Sequence, residues 1–266
     1  MLCVLPPAYA PCSSLRAVSV DAIARLEHIR SELEAEGQVR VAELADLLGV
    51  SEMTVRRDLD ALADLGVAHR VRGGAVSIGP QTFADRFTQA ARAKDAIADK
   101  LVALVEDGSA IGLDASTTLQ RLAARLGSSR AVTAVTNSIE SFAVLGRHSG
   151  VTALLTGGSL DHRTGSLVGP LAARAAQDVV MARLFVSAAG LDPVHGTTEA
   201  TLEEADVKRA LAEVAGTVVV AVDSSKLGQL GPARCLTPDR IDVLVTELAP
   251  TDPRLDPYRS ICDLVL

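Results

Sequence analysis

The chain has 266 residues, enough for one large globular domain or two smaller ones. Hydrophobic residues make up 48% and charged residues 22%, a balance that excludes a chain unfolded throughout. The net charge of −7 excludes a uniformly basic surface, so any polyanion must be met by a local concentration of cations.

The opening stretch MLCVLPPAYAPCSSLRAVSV has no basic start and no unbroken apolar run, and prolines interrupt it. It does not read as a signal peptide; residues 1–19 are expected to be a disordered tail or the product of a start codon placed too early. Apolar runs such as TVVVAV and VTALL are strand-length and too short to span a bilayer, so no membrane partner is expected. Cys3, Cys12, Cys235 and Cys262 form no Cys-x-x-Cys pair, and the five histidines are scattered. No metal site and no cofactor are expected, and unpaired thiols without an export signal fit the cytoplasm.

Residues 20–78 read as three helices and a hairpin. Ile23, Leu26, Ile29 and Leu33 recur at helical spacing over residues 21–36, and Gly37 ends that helix. VRVAELADLLGV gives a short extended piece, then a helix carrying Leu44, Leu47 and Leu48 that stops at Gly49. Ser51 is placed to cap a third helix in which Val55, Leu59 and Leu62 form the buried stripe. At 100° per residue, Met53, Arg57 and Asp60 lie opposite that stripe, flanked by Thr54 and Arg56. A helix, a tight turn and a second helix with outward arginines is the helix-turn-helix layout, whose second helix enters the major groove of double-stranded DNA. Ser51, Glu52, Met53, Thr54, Arg56 and Arg57 are therefore candidate DNA contacts. VAHRVRGGAVSI alternates apolar and polar residues and reads as a β-wing that offers His69, Arg70 and Arg72 to a phosphate backbone. The residues alone also fit a surface helix with solvated charges, because residues 20–77 hold seven arginines and no lysine against eleven acids.

The stretch ELADLLGVSEMTVRRDLDAL…GVAHRVRGGAV resembles the winged helix-turn-helix of DeoR-type bacterial transcription regulators, with its V-S-x-x-T-[IV]-R-R-D-L and R-x-x-G-G-A hallmarks. That resemblance implies DNA contacts at Ser51, Thr54, Arg56 and Arg57, and a wing served by Arg70 and Arg72.

Gly79-Pro80 breaks the pattern, and residues 79–107 read as a linker followed by one long helix over residues 84–106. Such a helix pairs with its copy in another subunit or packs on its own domain. From residue 108 to 266, strand-like runs alternate with helices, the pattern of an open, mostly parallel α/β sheet. Polar clusters follow the strands: Asp114-Ala115-Ser116-Thr117-Thr118, Thr136-Asn137-Ser138, Gly157-Gly158 and Asp223 to Lys226. Carboxyl ends of parallel strands share one edge, where ligands settle, and donors at helix N-termini suit an anion. Lys208 and Lys226 add positive charge. Each cluster alone has a structural alternative, as a helix cap, a turn or a strand end.

This region resembles the effector domain of DeoR-type regulators, itself similar to ribose-5-phosphate isomerase. The resemblance implies an effector site at Asp114, Ser116, Thr117, Thr118, Thr136, Asn137, Ser138, Gly157, Gly158, Lys208, Asp223 and Lys226. It departs from the family pattern at Ser116, where the loop glycine is replaced. A Cβ there is expected to restrict the backbone and crowd a phosphate. Asp114, Asp192, Glu203 and Glu204 are the acids available for isomerase-like proton transfer, yet the sequence pairs none of them, and no catalytic residue is assigned.

The expected protein is thus an N-terminal winged helix-turn-helix followed by an open α/β effector domain. It is a repressor of a carbohydrate-use operon, acting on operator DNA as a homo-oligomer, dimer or tetramer. Its DNA affinity is set by a phosphorylated sugar or polyol. The alternatives are a sugar-phosphate isomerase-like enzyme with an appended DNA-binding domain, and a constitutive DNA binder with a vestigial sensor.

Overall fold

The computed structural model describes residues 20–64, 68–77, 83–127 and 131–266. The expected tail, the Gly79-Pro80 break, and Val67 and Ile78 at the ends of the expected wing lie outside the described residues. The chain divides into two units, Met1–Ile78 and Gly79–Leu266.

The first unit runs α1 (Val20–Glu36), β1 (Gln38–Arg40), α2 (Val41–Leu48), α3 (Glu52–Asp64), β2 (Ala68–Val71) and β3 (Gly74–Ser77). Ile29, Leu33, Leu44, Val55, Leu59 and Leu62 meet in one apolar core. Ile23 and Leu47 share the helical spacing but face outward. The strands form one antiparallel sheet in the order β1-β3-β2, which makes the wing three-stranded rather than a lone hairpin. Gly74 is required by this pairing, because a Cβ there would stand 2.0 Å from the Val39 carbonyl oxygen. Asp58, the acid of the R-R-D-L hallmark, is turned inward. It accepts from Arg25 Nε at 2.5 Å and from Arg25 Nη2 at 3.2 Å, tying α3 to α1.

The second unit opens with α4 (Phe83–Thr88) and α5 (Ala91–Val102), where the sequence predicts one helix over residues 84–106. The break falls at Ala90, whose φ of 49° is left-handed, the one such non-glycine residue among those described. Tertiary bonds outweigh helical periodicity here. The Phe83 amide donates to the Arg163 carbonyl at 2.7 Å and Arg86 Nη2 to the Thr164 carbonyl at 2.8 Å, so α4 turns away from the α5 axis.

Next come β4 (Ala110–Leu113), α6 (Thr117–Arg125), β5 (Val132–Thr136), α7 (Ile139–Leu145), β6 (Val151–Leu155) and the hairpin β7 (Ser159–Asp161) and β8 (Ser166–Val168). The chain continues through α8 (Pro170–Gln177), β9 (Met181–Val186), β10 (Gly190–Asp192), β11 (Gly196–Glu199), α9 (Leu202–Glu213) and β12 (Ala215–Ala221). It closes with β13 (Ala233–Arg234), β14 (Val243–Val245) and β15 (Leu264–Val265). Seven strands form a wholly parallel sheet in the order β15-β14-β12-β9-β4-β5-β6. Their runs of Val, Ile and Leu are continuous because both faces are covered, by a cluster around Leu184, Val220 and Leu211 on one side and by one around Leu113, Leu122 and Val219 on the other. Strand order reverses between β4 and β9, and this switch point is where an open α/β sheet leaves a crevice. The antiparallel sheet β10-β11-β13 and the β7-β8 hairpin stand beside that crevice.

Replacing Asp58 by Ala leaves Arg25 without its carboxylate and is expected to cost about 1.5–3 kcal/mol, the worth of a hydrogen bond to a charged group. Urea denaturation followed by helix signal checks this: the first unit's midpoint should fall, and an unchanged midpoint would remove Asp58 from the list of structural ties.

Candidate functional site

In the first unit the helix phase places the hallmark residues as the pattern predicts. The Ser51 hydroxyl accepts from the Thr54 amide at 3.2 Å and lies 3.0 Å from Thr54 Oγ1, so this pair starts α3. Val55, Leu59 and Leu62 are buried, while Met53 is 56% exposed and Arg56 and Arg57 face solvent. Arg56 is held by Glu52 one turn back at 2.5 Å. Arg57 has no ion-pair or hydrogen-bond partner among the described residues. His69 and Arg72 are exposed on the wing. Arg70 is committed inside the unit, donating to Asp60 Oδ1 at 2.8 Å and to the Gly74 carbonyl. Its contribution is to lock the wing onto α3, which the sequence does not reveal.

In the second unit a cavity of about 380 Å³ lies at the carboxyl edge of the sheet. Its walls are the turns after β4 (Ala115 to Thr118), β9 (Ser187 to Ala189) and β12 (Asp223, Ser225, Lys226). Glu199, Glu204 and Lys208 come from β11 and α9, Thr164 from the β7-β8 turn, and Arg86, Gln89, Ala90 and Lys94 from the α4–α5 joint. Three of the chain's four lysines line it.

Seven of the twelve expected effector residues are at this cavity. Ser116, Thr117, Thr118, Lys208, Asp223 and Lys226 line it, and Asp114 lies directly beneath, bonded to Lys208. Ser116 takes an extended backbone, φ −98°, and its hydroxyl caps α6 by accepting from the Leu119 amide at 3.2 Å. The expected backbone restriction therefore does not arise at this position, since no glycine conformation is needed.

Thr136, Asn137, Ser138, Gly157 and Gly158 do not line the cavity. The Asn137 side chain donates to the Leu167 carbonyl at 3.1 Å, and the Leu167 amide to the Asn137 carbonyl at 2.7 Å. Ser138 caps α7 through the Ser141 amide at 3.0 Å. Gly158, at φ 121°, lies against the Val168 carbonyl, where a Cβ would come within 2.7 Å. Both clusters thus hold the β7-β8 hairpin, whose Thr164 reaches the cavity.

The cavity floor is an ion cluster. Lys208 Nζ lies 2.8 Å from Asp114 Oδ2 and 2.6 Å from Glu199 Oε1, and donates to the Ser187 carbonyl at 2.9 Å. Asp114 also accepts from the Ser187 amide at 2.8 Å and the Ser116 amide at 3.0 Å, so it ties the ends of β4 and β9 together. Burial alone would lower the Lys208 ammonium, but the carboxylates of Asp114, Glu199 and Glu204 outweigh it and hold it above its ordinary value. Burial pushes the Glu199 carboxyl up to about 7 against the pull of Lys208, with Glu204 and Asp114 adding to the rise. At the other end, burial brings the Lys94 ammonium down to about 8. Asp223 opposes that shift; Lys226, Arg86 and Arg121 reinforce it.

Glu199, Arg86 and Lys94 were not assigned from sequence. The signal for Lys94 was present: it occupies the first place of the buried series Lys94, Ile97, Ala98 and Leu101, so a lysine stands on an apolar face. Of the acids weighed for proton transfer, Asp192 accepts from its own turn, from the Val194 and His195 amides at 2.9 Å, and Glu203 does not line the cavity. Among the described residues no group of three or more metal-ligating side chains is present, and no helix is long and apolar enough to cross a membrane.

Comparison with known proteins matches each unit to one family. A DeoR-like helix-turn-helix domain matches residues 25–81, and a DeoR C-terminal sensor domain matches residues 89–248. The HTH-type transcriptional regulator GolR of Listeria innocua is 32% identical over 219 residues, covering 81% of this chain and 86% of that protein. The HTH-type transcriptional repressor GlcR of Bacillus subtilis is 30% identical over 245 residues, covering 91% and 92%. Among solved structures, ribose 5-phosphate isomerase A of Methanocaldococcus jannaschii covers 50% of this chain and 53% of its own at 19% identity, with a TM-score of 0.38.

Because the Glu199 carboxyl titrates near 7 when folded and at its ordinary 4.5 when unfolded, its stabilising contribution is complete below about 4.5 and lost as pH rises to about 7. Glu199→Gln should therefore flatten the fall in melting temperature over that interval. Parallel curves for the two proteins would show that Glu199 is not the titrating group.

Proposed function

The chain belongs to the DeoR family of helix-turn-helix transcriptional regulators, and from that premise we propose that it is a repressor of carbohydrate genes whose grip on operator DNA is set by a phosphorylated sugar or polyol. The observation that carries the effector half is the cavity at the sheet's switch point, which combines Arg86, Lys94 and Lys226 for an anionic group with the carboxylates of Glu199 and Glu204 as acceptors for hydroxyls. The DNA half rests on the solvent-facing side of α3, with Ser51, Glu52, Met53, Thr54, Arg56 and Arg57 toward bases or phosphates and His69 and Arg72 on the wing. Two such units in a dimer or tetramer engage repeated half-sites. The protein acts in the cytoplasm, where its DNA lies. Effector binding shifts the operator equilibrium only by its differential affinity for the bound and free arrangements.

We take the cavity to bind rather than to turn over its ligand. Asp114 and Glu199 both spend oxygens on Lys208, so these acids build the floor. The catalytic reading draws on one observation, the raised Glu199 carboxyl beside the cavity; conversion of ribose 5-phosphate by the purified chain would establish it.

Two measurements test the proposal. In thermal shift against sugar and polyol phosphates, the true effector at a hundred times its Kd should add about 2.7 kcal/mol of stability and release the chain from DNA taken from its own promoter; a silent panel would sink the effector half. Arg57→Ala should weaken operator binding by about 1–3 kcal/mol, roughly fivefold to 150-fold, with melting unchanged. Equal gel-shift affinity would move the DNA surface elsewhere.

A further inference from the structure

The cavity's cations fall into two kinds. Lys208 is neutralised by Asp114 and Glu199. Arg86, Lys94 and Lys226 form no ion pair among the described residues, and Asp223 is the acid that most affects Lys94. Two of these three come from the α4–α5 joint, the stretch that follows the DNA-binding unit in sequence.

That joint is held by bonds to the last carbonyls of α4. Lys94 Nζ and, at 3.3 Å, Thr117 Oγ1 both donate to the Arg86 carbonyl, while Arg121 Nη2 donates to the Phe87 carbonyl at 2.8 Å and its guanidinium lies 4.4 Å from the Phe87 ring centroid. Cations at a helix C-terminus satisfy its orphan carbonyls, and here they also hold Ala90 in a left-handed conformation that L-residues disfavour. Arg86 Nε is buried with no partner among the described residues, and both Ala90 and Lys94 face the cavity.

We infer that the effector's anionic group is seized by Arg86 and Lys94 with Lys226 opposite, and that it takes the place of the Arg86 carbonyl on the Lys94 ammonium, loosening the α4–α5 joint at Ala90. The inference rests on the effector reading above and adds its route: ligand binding is read first by the segment that leads to the DNA-binding unit. A carbonyl carries only a partial charge, so a full anion displaces it from an ammonium already short of compensation. Lys94 sits near 8 among Asp223 (after β12), Lys226 (beside it), Arg86 (α4) and Arg121 (α6); an anion raises it, so binding takes up protons above neutrality.

The probe is sulfate, whose charge is constant between pH 7 and 9, titrated into the full chain by calorimetry, with amide exchange read over residues 83–94. Wild type should bind sulfate, lose affinity as pH rises from 7 to 9, and exchange faster across the joint when saturated. Lys94→Met removes a buried charge that makes no ion pair, and Asp223 keeps its bonds from Ser225; the variant should keep its melting temperature, bind at least tenfold more weakly, and show a smaller fall in affinity over the same pH range, the remainder belonging to Glu199. No sulfate binding to wild type, binding that Lys94→Met leaves within twofold, or a joint whose exchange is unchanged at saturation would each overturn the inference. Sulfate binding with these signatures but no response to any sugar phosphate would keep the anion seat and reject the carbohydrate reading.

Discussion

A buried ammonium with two carboxylates organises the second unit. Lys208 bonds the acid after β4, the acid at the end of β11 and the carbonyl after β9. Removing these ions from water costs several kcal/mol each, a penalty offset only while every partner stays in place. The cluster therefore fixes the relative positions of three chain segments at the point where strand order reverses. The crevice that a parallel sheet leaves at its switch point is held to one shape by this constraint, and the capped N-terminus of α6 is set at its rim.

The polar clusters after β5 and β6 act at one remove. Asn137, Ser138 and Gly158 hold the β7-β8 hairpin by backbone bonds and close approach; the hairpin's turn carries Thr164 into the cavity, and the Arg163 and Thr164 carbonyls accept from α4. Ser166 continues the chain of contacts, lying 2.6 Å from Thr164 Oγ1 and 3.3 Å from Glu204 Oε1. A residue cluster at a strand's carboxyl end is thus compatible with two jobs, facing a ligand or supporting the loop that does.

This division marks how far the sequence was legible. Period-3.6 and period-2 patterns gave the helix-turn-helix, its exposed arginines and the parallel α/β class, because those features are local. The short strands β7, β10, β11 and β13, and the terminal β15, were not legible: two to four residues carry no period. The α4–α5 break was missed for a different reason, since Ala90 is an ordinary helix former whose left-handed conformation is imposed by bonds between residues 31 and 78 apart in sequence. Glu199 lay in a fully buried G-T-T-E strand whose composition gives no hint of burial; only its pairing with Lys208 explains it. Arg70 shows the same limit, since its motif position says wing while its partners, Asp60 and Gly74, are set by the fold.

The opening constraint of net negative charge is resolved in the same way in both units. In the first, acids and arginines are interspersed along the chain, but helix phase separates them: Asp58 turns inward to Arg25 while Arg57, its neighbour, faces out without a partner among the described residues. In the second, the lysines are few and three of four face one cavity, where one is ion-paired and the other two form no ion pair among the described residues. Attraction for an anion depends on the local excess after internal pairing, at distances shorter than the screening length of about 8 Å in physiological salt. An acidic protein can therefore present two cationic sites, provided its fold consumes the intervening acids in structural pairs. Asp58, Asp60, Asp95, Asp99 and Asp114 are consumed in this way, each bound to an arginine or lysine of its own unit.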